Sequence, residues 1–184
     1  MKRKIRSDPG AVLLLGVLLF SLTFKEVAAL FTAVIVHETG HLIALMIVDT
    51  PPVGIHFTVS GPVILYHQPE EKWKVVFCAL SGPFLGLLMF CAFYHAWPAC
   101  AGISLLLSVI NLLPVLPLDG GRAMHALLTG RIRFIFSALG FLIPFAFMLA
   151  GLVLVYLGQN GNGLLMFGVW LLILSCQEQQ IDVK

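Results

Sequence analysis

The chain has 184 residues, of which 59% are hydrophobic and only 11% are charged. Soluble domains are roughly 45–50% apolar and about 25% charged, so this composition indicates an integral membrane protein. A membrane-spanning helix needs about 20 apolar residues, so about six crossings would use most of the chain and would exclude a large soluble domain. The formal net charge of +2 is too small to indicate nucleic acid as a partner.

Six apolar segments are predicted to cross the lipid bilayer, which gives an all-α polytopic membrane protein. In chain order they comprise residues 11–24, 28–48, 74–97, 99–116, 134–157 and 163–176, and the last is short for a crossing. Between the second and third crossings, residues 50–68 contain Pro51, Pro52 and a Ser60-Gly61-Pro62 break among β-branched residues. This pattern predicts two short strands in a β-hairpin or a re-entrant loop.

The basic residues are distributed unequally between the predicted loops. Of the 11 Lys and Arg residues, only Lys25 falls on one side of the membrane and all the others fall on the opposite side. Because cytoplasmic loops carry an excess of Lys and Arg, we predict a multi-pass protein of the cell membrane with both termini in the cytoplasm.

The second predicted crossing contains the sequence His37-Glu38-Thr39-Gly40-His41, which is an H-E-x-x-H motif. In a helix, residues four apart lie on the same face, so both imidazoles can bind one zinc ion. Glu38 projects about 100° away from His37, where it can act as a general base without being a ligand. The alternative is a polar core in which these three side chains hydrogen-bond one another. That alternative does not explain why a carboxylate, which is costly to bury, lies inside an apolar segment.

A catalytic zinc site needs a third protein ligand and an open position. No further His or acidic residue follows His41 within two helical turns, and most of the acidic residues lie in tails or loops. Asp119, at the cytoplasmic end of the fourth crossing, can share the depth of His41 and is the predicted third ligand. On its own, an Asp before two glycines is more typical of a turn or a helix cap, which is the alternative for Asp119.

Two separated stretches, residues 37–41 and residues 111–122, together resemble the site-2 protease family of intramembrane zinc metalloproteases. Ser81-Gly82-Pro83 in the third crossing is similar to a further family feature. In size and cytoplasmic tails the chain is most similar to the branch that processes sporulation factors. Only residues 177–184 follow the last predicted crossing, so we expect neither the C-terminal cytoplasmic domain of that branch nor a PDZ insertion.

The resemblance implies one zinc ion on His37, His41 and Asp119, with Glu38 as catalytic base and Asn111 as a polar group near the substrate carbonyl. It implies hydrolysis of peptide bonds in or next to transmembrane segments of membrane-protein substrates, such as a membrane-tethered transcription regulator. It also implies that residues 50–68 are a membrane-associated β element that holds the substrate. We expect a single integral-membrane domain over residues 1–184, with its catalytic core at 28–130.

Two other functions are alternatives to intramembrane proteolysis. A membrane-anchored zinc protease of soluble chains usually has a downstream Glu as third ligand, and Glu38 is the only Glu within the predicted crossings. The other is a zinc transporter or an inactive homologue that binds membrane proteins. A transporter would spread ionisable residues over several helices, whereas here the main intramembrane acids are Glu38 and Asp119.

Several residues have a structural interpretation beside a functional one. For Asn111 the alternative is a hydrogen bond between helices, and for Pro114 and Pro117 it is an ordinary helix end. Gly82 and Gly86 are predicted to pack helices together, and Arg122 is predicted to anchor the cytoplasmic interface. The remaining histidines are predicted to be interfacial or core residues: His56, His67, His95 and His125. The sequence does not specify an oligomeric state.

Overall fold

A computed structural model describes residues 4–7, 16, 19, 22–58, 61–66 and 69–181. The predicted first crossing at residues 11–24 therefore lies outside the described residues, apart from positions 16, 19 and 22–24. The described part is mostly helical. The chain divides into two compact units, residues 1–111 and 112–184.

Three helices form most of the first unit: α1 (Phe24–Ile47), α2 (Lys72–Phe93) and α3 (Pro98–Asn111). Helix α1 begins at a capping box, in which the Thr23 N–H donates to the Glu26 carboxylate at 2.8 Å and the Glu26 N–H donates to the Thr23 hydroxyl. The three helices pack against one another. Their buried contacts use small side chains such as Ala29, Ala33 and Cys100, which let helix backbones approach closely.

A three-stranded sheet completes the first unit. Its strands are β1 (Lys4–Ser7), β2 (Gly54–Thr58) and β3 (Gly61–Leu65), in the order β1-β2-β3. Strand β2 is antiparallel to β3, with Gly54 opposite Leu65, and parallel to β1, with Lys4 opposite Gly54. Strands β2 and β3 lie in the segment for which two short strands are predicted, whereas β1 is not predicted. The membrane association of this segment stays a prediction.

The second unit begins with an irregular segment at residues 112–118 and continues with α4 (Asp119–Leu127), α5 (Gly130–Tyr156) and α6 (Asn162–Ile181). Helices α5 and α6 run antiparallel, since Gly151 lies beside Leu165 and Pro144 lies beside Gly168. A Cβ atom added to Gly168 would lie 2.8 Å from the Pro144 carbonyl oxygen, so this contact requires glycine.

Three described helices are long and apolar enough to cross a membrane: Phe24–Ile47, Lys72–Phe93 and Gly130–Tyr156. The protein is thus a multi-pass membrane protein, while the count of six crossings stays a prediction. Helix α3 ends at Asn111, before the predicted end at residue 116, and has 14 residues. At 1.5 Å per residue it is about 21 Å long, shorter than the bilayer core of about 30 Å. Helix α4 is not predicted from the sequence.

Candidate metal centre

The two histidines of the H-E-x-x-H motif lie side by side on α1. His37 is buried, with 4% of its surface exposed, and His41 follows one turn later. Their Nε2 atoms are 3.2 Å apart. Two nitrogen ligands at about 2.0–2.1 Å from a tetrahedral zinc ion would be about 3.3 Å apart, so the spacing of the two imidazoles fits a shared metal ion.

A backbone carbonyl on the neighbouring helix orients His41. The Nδ1–H of His41 donates to the carbonyl oxygen of Cys78 in α2 at 2.7 Å. Because a carbonyl can only accept, this bond fixes the proton on Nδ1 and leaves the lone pair of Nε2 for a metal. This partner is not predictable from the sequence, because every residue type supplies a backbone carbonyl and no pattern marks which one accepts the hydrogen bond.

Glu38 is the next residue after His37 on α1 and is half-buried. Its position in the helix directs its side chain away from the face that carries both imidazoles. Glu38 is thus adjacent to His37 in the sequence and projects from a different side of the helix. This placement suits a proton acceptor better than a third ligand.

Asp119 is the first residue of α4 and is buried, with 6% of its surface exposed. The two glycines that follow it explain how α4 can begin there. A Cβ atom on Gly120 would clash with the Leu112 carbonyl, and one on Gly121 would lie 2.7 Å from the Leu116 backbone nitrogen. Asp-Gly-Gly therefore lets the first turn of α4 pack onto the backbone of the preceding irregular segment.

The charge of Asp119 has a basic neighbour on its own helix. Arg122 Nη1 lies 3.9 Å from Asp119 Oδ1, one turn further along α4. At the limit of ion-pair distance, with Arg122 partly exposed, this contact is weak. The first unit thus carries the two imidazoles of the motif, and the second unit carries the carboxylate of Asp119. Two imidazoles and one carboxylate are a donor set that suits zinc.

Asn111, His125 and His95 each contact a nearby residue. Asn111 is the last residue of α3 and its Nδ2 donates to the Leu107 carbonyl in the same helix at 3.0 Å, which differs from the interhelical bond named as the alternative. In α4, His125 accepts from Arg133 at 2.6 Å. The rings of His95 and Tyr94 are 4.8 Å apart. The side chain of His56 and all of His67 lie outside the described residues.

A membrane protein built mostly of helices, with an H-E-x-x-H motif inside an apolar helix, has the features of the membrane-embedded metalloproteases. Comparison with known families agrees: residues 56–151 match the model of Peptidase family M50. This range is just over half of the chain, and the protein belongs to this family. The matched range contains Asp119 and begins after His41.

Two known proteins show the same relationship. A protein of Synechocystis sp. described as "Putative zinc metalloprotease" is 30% identical over 113 residues, which are 53% of this chain and 30% of that relative. The chain thus matches less than a third of that relative's length. The solved structure of a site-2 protease from Methanocaldococcus jannaschii aligns with a TM-score of 0.69 and 19% identity, over 95% of this chain and 89% of that one. At this identity the match shows a shared fold.

These comparisons confirm the resemblance to the site-2 protease family and identify zinc metalloproteases as the class to which the chain belongs. Zinc is accordingly the metal of this family, and the donor set of His37, His41 and Asp119 is compatible with it.

Proposed function

We propose that this protein is an intramembrane zinc endopeptidase that hydrolyses peptide bonds in or next to transmembrane segments of membrane-protein substrates. The observation that carries the proposal is the pair of imidazoles on α1, whose Nε2 atoms are 3.2 Å apart inside a helix apolar enough to cross a membrane. Ionisable side chains are costly at membrane depth and usually serve a function there.

In this proposal His37, His41 and Asp119 hold one zinc ion. The donor chemistry and the positions of these residues support their assignment as ligands: the two histidines lie on one face of α1 and the buried Asp119 begins α4. When bound, zinc supplies Lewis-acid chemistry, which polarises a carbonyl group and makes water more acidic. With three protein ligands, one coordination position would stay open, as catalytic zinc sites require.

Two side chains of the protein would transfer the proton and stabilise the developing charge. Glu38 takes the proton of the attacking water and passes it to the nitrogen of the leaving amine, as a general base and then a general acid. Asn111 has a second amide hydrogen besides the one directed to Leu107. We propose that it donates to the substrate carbonyl, where charge develops during the reaction.

A transmembrane substrate must lose its helical hydrogen bonds before it can be cut, because a helix satisfies its own peptide groups and lipid excludes water. The irregular segment at residues 112–118 offers non-helical backbone directly before Asp119. The sheet offers a strand edge at β3, which is an outer strand in the order β1-β2-β3. An unwound substrate could pair with such an edge through main-chain hydrogen bonds.

The proposed setting of the reaction follows from the distribution of charge. The protein lies in the cell membrane with both termini in the cytoplasm, so that cleavage would release a cytoplasmic product such as a transcription regulator. A single integral-membrane domain over residues 1–184, with its catalytic core at 28–130, remains part of this proposal.

The test is the zinc content of the protein purified in detergent, measured for the wild type, Glu38→Gln and Asp119→Ala. We expect about one zinc ion per chain in the wild type and in Glu38→Gln, and loss of zinc in Asp119→Ala, since Asp119 is a proposed ligand and Glu38 is not. Zinc retained by Asp119→Ala would refute the assignment of the third ligand. A wild type without zinc would refute the metalloprotease and favour an inactive homologue.

A further inference from the structure

We infer that Gly82 is a positioning residue for His41: it supplies the space in α2 that the imidazole occupies, so that α2 sets the orientation of this ligand. The inference rests on the proposed function, because it concerns a ligand of the proposed zinc site. It adds a residue that the H-E-x-x-H motif does not contain and that lies on another helix.

The contact between Gly82 and His41 is unusually close. A Cβ atom added to Gly82 would clash with Nε2 of His41, and would lie 2.5 Å from its Cε1 and 2.8 Å from its Cδ2. Of these three ring atoms, Nε2 is the one that would bind a metal ion. Any side chain larger than hydrogen at position 82 must therefore push the ring away from its present place.

The ring has little room to yield. Its Nδ1 is held by the Cys78 carbonyl at 2.7 Å, one helical turn before Gly82. The backbones of α1 and α2 also touch at this level, since a Cβ atom on Gly40 would lie 3.0 Å from the Cα atom of Gly82. His41 is thus enclosed between its own helix, the Cys78 carbonyl and the Gly82 backbone, and a displaced ring would lose its hydrogen bond or its alignment with His37.

The neighbouring glycine of the same helix has a different role and provides a control. Gly86 lies one turn further along α2, and a Cβ atom added there would clash with the Ser108 hydroxyl of α3 and lie 3.4 Å from the Ser104 carbonyl oxygen. Substitution at Gly86 would disturb helix packing without touching His41. Gly102 of α3 is exposed, and an added Cβ atom would meet nothing there within 4 Å.

The experiment compares Gly82→Ala, Gly86→Ala and Gly102→Ala in the full chain, purified in detergent. Two quantities are measured for each: zinc affinity by competition with a chromophoric chelator, and the melting temperature of the metal-free protein. We expect Gly82→Ala to weaken zinc binding by about 10–100-fold, the usual range for loss of the groups that orient a ligand. Gly86→Ala should lower the melting temperature with a much smaller loss of affinity, and Gly102→Ala should change neither.

The outcomes separate this inference from the proposed function. If the wild type binds zinc and Gly82→Ala binds it equally tightly, the positioning role is wrong while the zinc site stands. If Gly82→Ala and Gly86→Ala lose affinity in proportion to their loss of melting temperature, Gly82 is a packing residue only. A wild type without zinc would refute the proposed function itself. Cobalt(II) provides a second readout, because a displaced His41 should change its visible absorption spectrum in Gly82→Ala but not in Gly86→Ala.

Discussion

In the proposed mechanism Glu38 transfers a proton and does not bind the metal, whereas the two histidines of the motif are metal ligands. Glu38→Gln keeps the size and polarity of the side chain and removes its basicity. We expect proteolysis to fall by about 10²–10⁴-fold, the usual contribution of a positioned acid or base, with zinc content unchanged. Cleavage of a membrane-protein substrate in proteoliposomes measures the effect. Undiminished cleavage by zinc-loaded Glu38→Gln would assign the proton transfer to another group.

Replacing Asn111 tests whether its side-chain amide hydrogen-bonds the substrate in addition to a carbonyl of its own helix. Its Nδ2 donates to the Leu107 carbonyl, so Asn111→Ala removes that local bond together with any bond to substrate. If Asn111 stabilises the developing charge, its loss should lower kcat by about 10²–10³-fold and leave zinc content intact. Asn160→Ala, at an exposed position in the α5–α6 loop, is the control. An unchanged kcat for Asn111→Ala would leave Asn111 only its hydrogen bond to the Leu107 carbonyl.

The residues of the proposed site are suggested by the sequence itself. His37, Glu38 and His41 form a local pattern whose geometry follows from the helix period, and Asp119 followed from the lack of other suitable acids. The partners of these residues were not predictable in the same way. The Cys78 carbonyl and the space at Gly82 depend on how α1 and α2 pack, and packing leaves no periodic trace in the sequence.

The positions of helices are predictable where the composition of the sequence changes sharply, and their ends are less predictable where it does not. Helices α1, α2 and α5 fall on predicted crossings, but α3 ends at Asn111 although apolar residues continue to 116. Pro114 and Pro117 explain this, because proline removes a helical hydrogen bond and restricts the residue before it. Helix α4 escaped prediction because its nine residues include two glycines, which lower helix propensity but allow a close backbone contact.

The packing of α2 against α3 gives a prediction at the scale of elements. Gly86→Ala should destabilise the protein by about 1–3 kcal/mol, as overpacking of a tight contact does, because the new methyl group meets the Ser108 hydroxyl. Replacing that serine as well, in Gly86→Ala/Ser108→Ala, removes the nearest atom and should restore part of the loss. Thermal unfolding in detergent of both single variants and the double variant measures this. Additive losses would show that the two residues do not share a contact.

At the scale of the whole molecule, the composition predicted a membrane protein correctly, yet it did not determine the number of crossings. The hydropathy of a segment indicates only that it is apolar, whereas crossing a membrane also requires a sufficiently long helix. Helix α3 is apolar but has only 14 residues. Strand β1 adds information that hydropathy lacks. Its pairing with β2 joins residues 4–7 and 54–58 in one sheet, although they are far apart in the sequence.

Orientation can be tested across α5, which has 27 residues and is about 40 Å long, enough to cross the bilayer. Its ends are flanked by the exposed residues Thr129 and Gln159. Arg131 and Arg133 lie near the first end, so the positive-inside rule predicts that Thr129 faces the cytoplasm and Gln159 the exterior. The test uses single cysteines, Thr129→Cys or Gln159→Cys, in a variant whose four native cysteines are replaced by alanine.

A membrane-impermeant maleimide applied to intact cells should label Gln159→Cys at once, and should label Thr129→Cys only after permeabilisation. The reverse pattern would invert the proposed topology and put both termini outside the cytoplasm. Equal labelling of the two positions in intact cells would mean that α5 does not separate two compartments. In that case the cleavage products could not be assigned to the cytoplasm, because their destination depends on which side of the membrane the ends of the substrate lie.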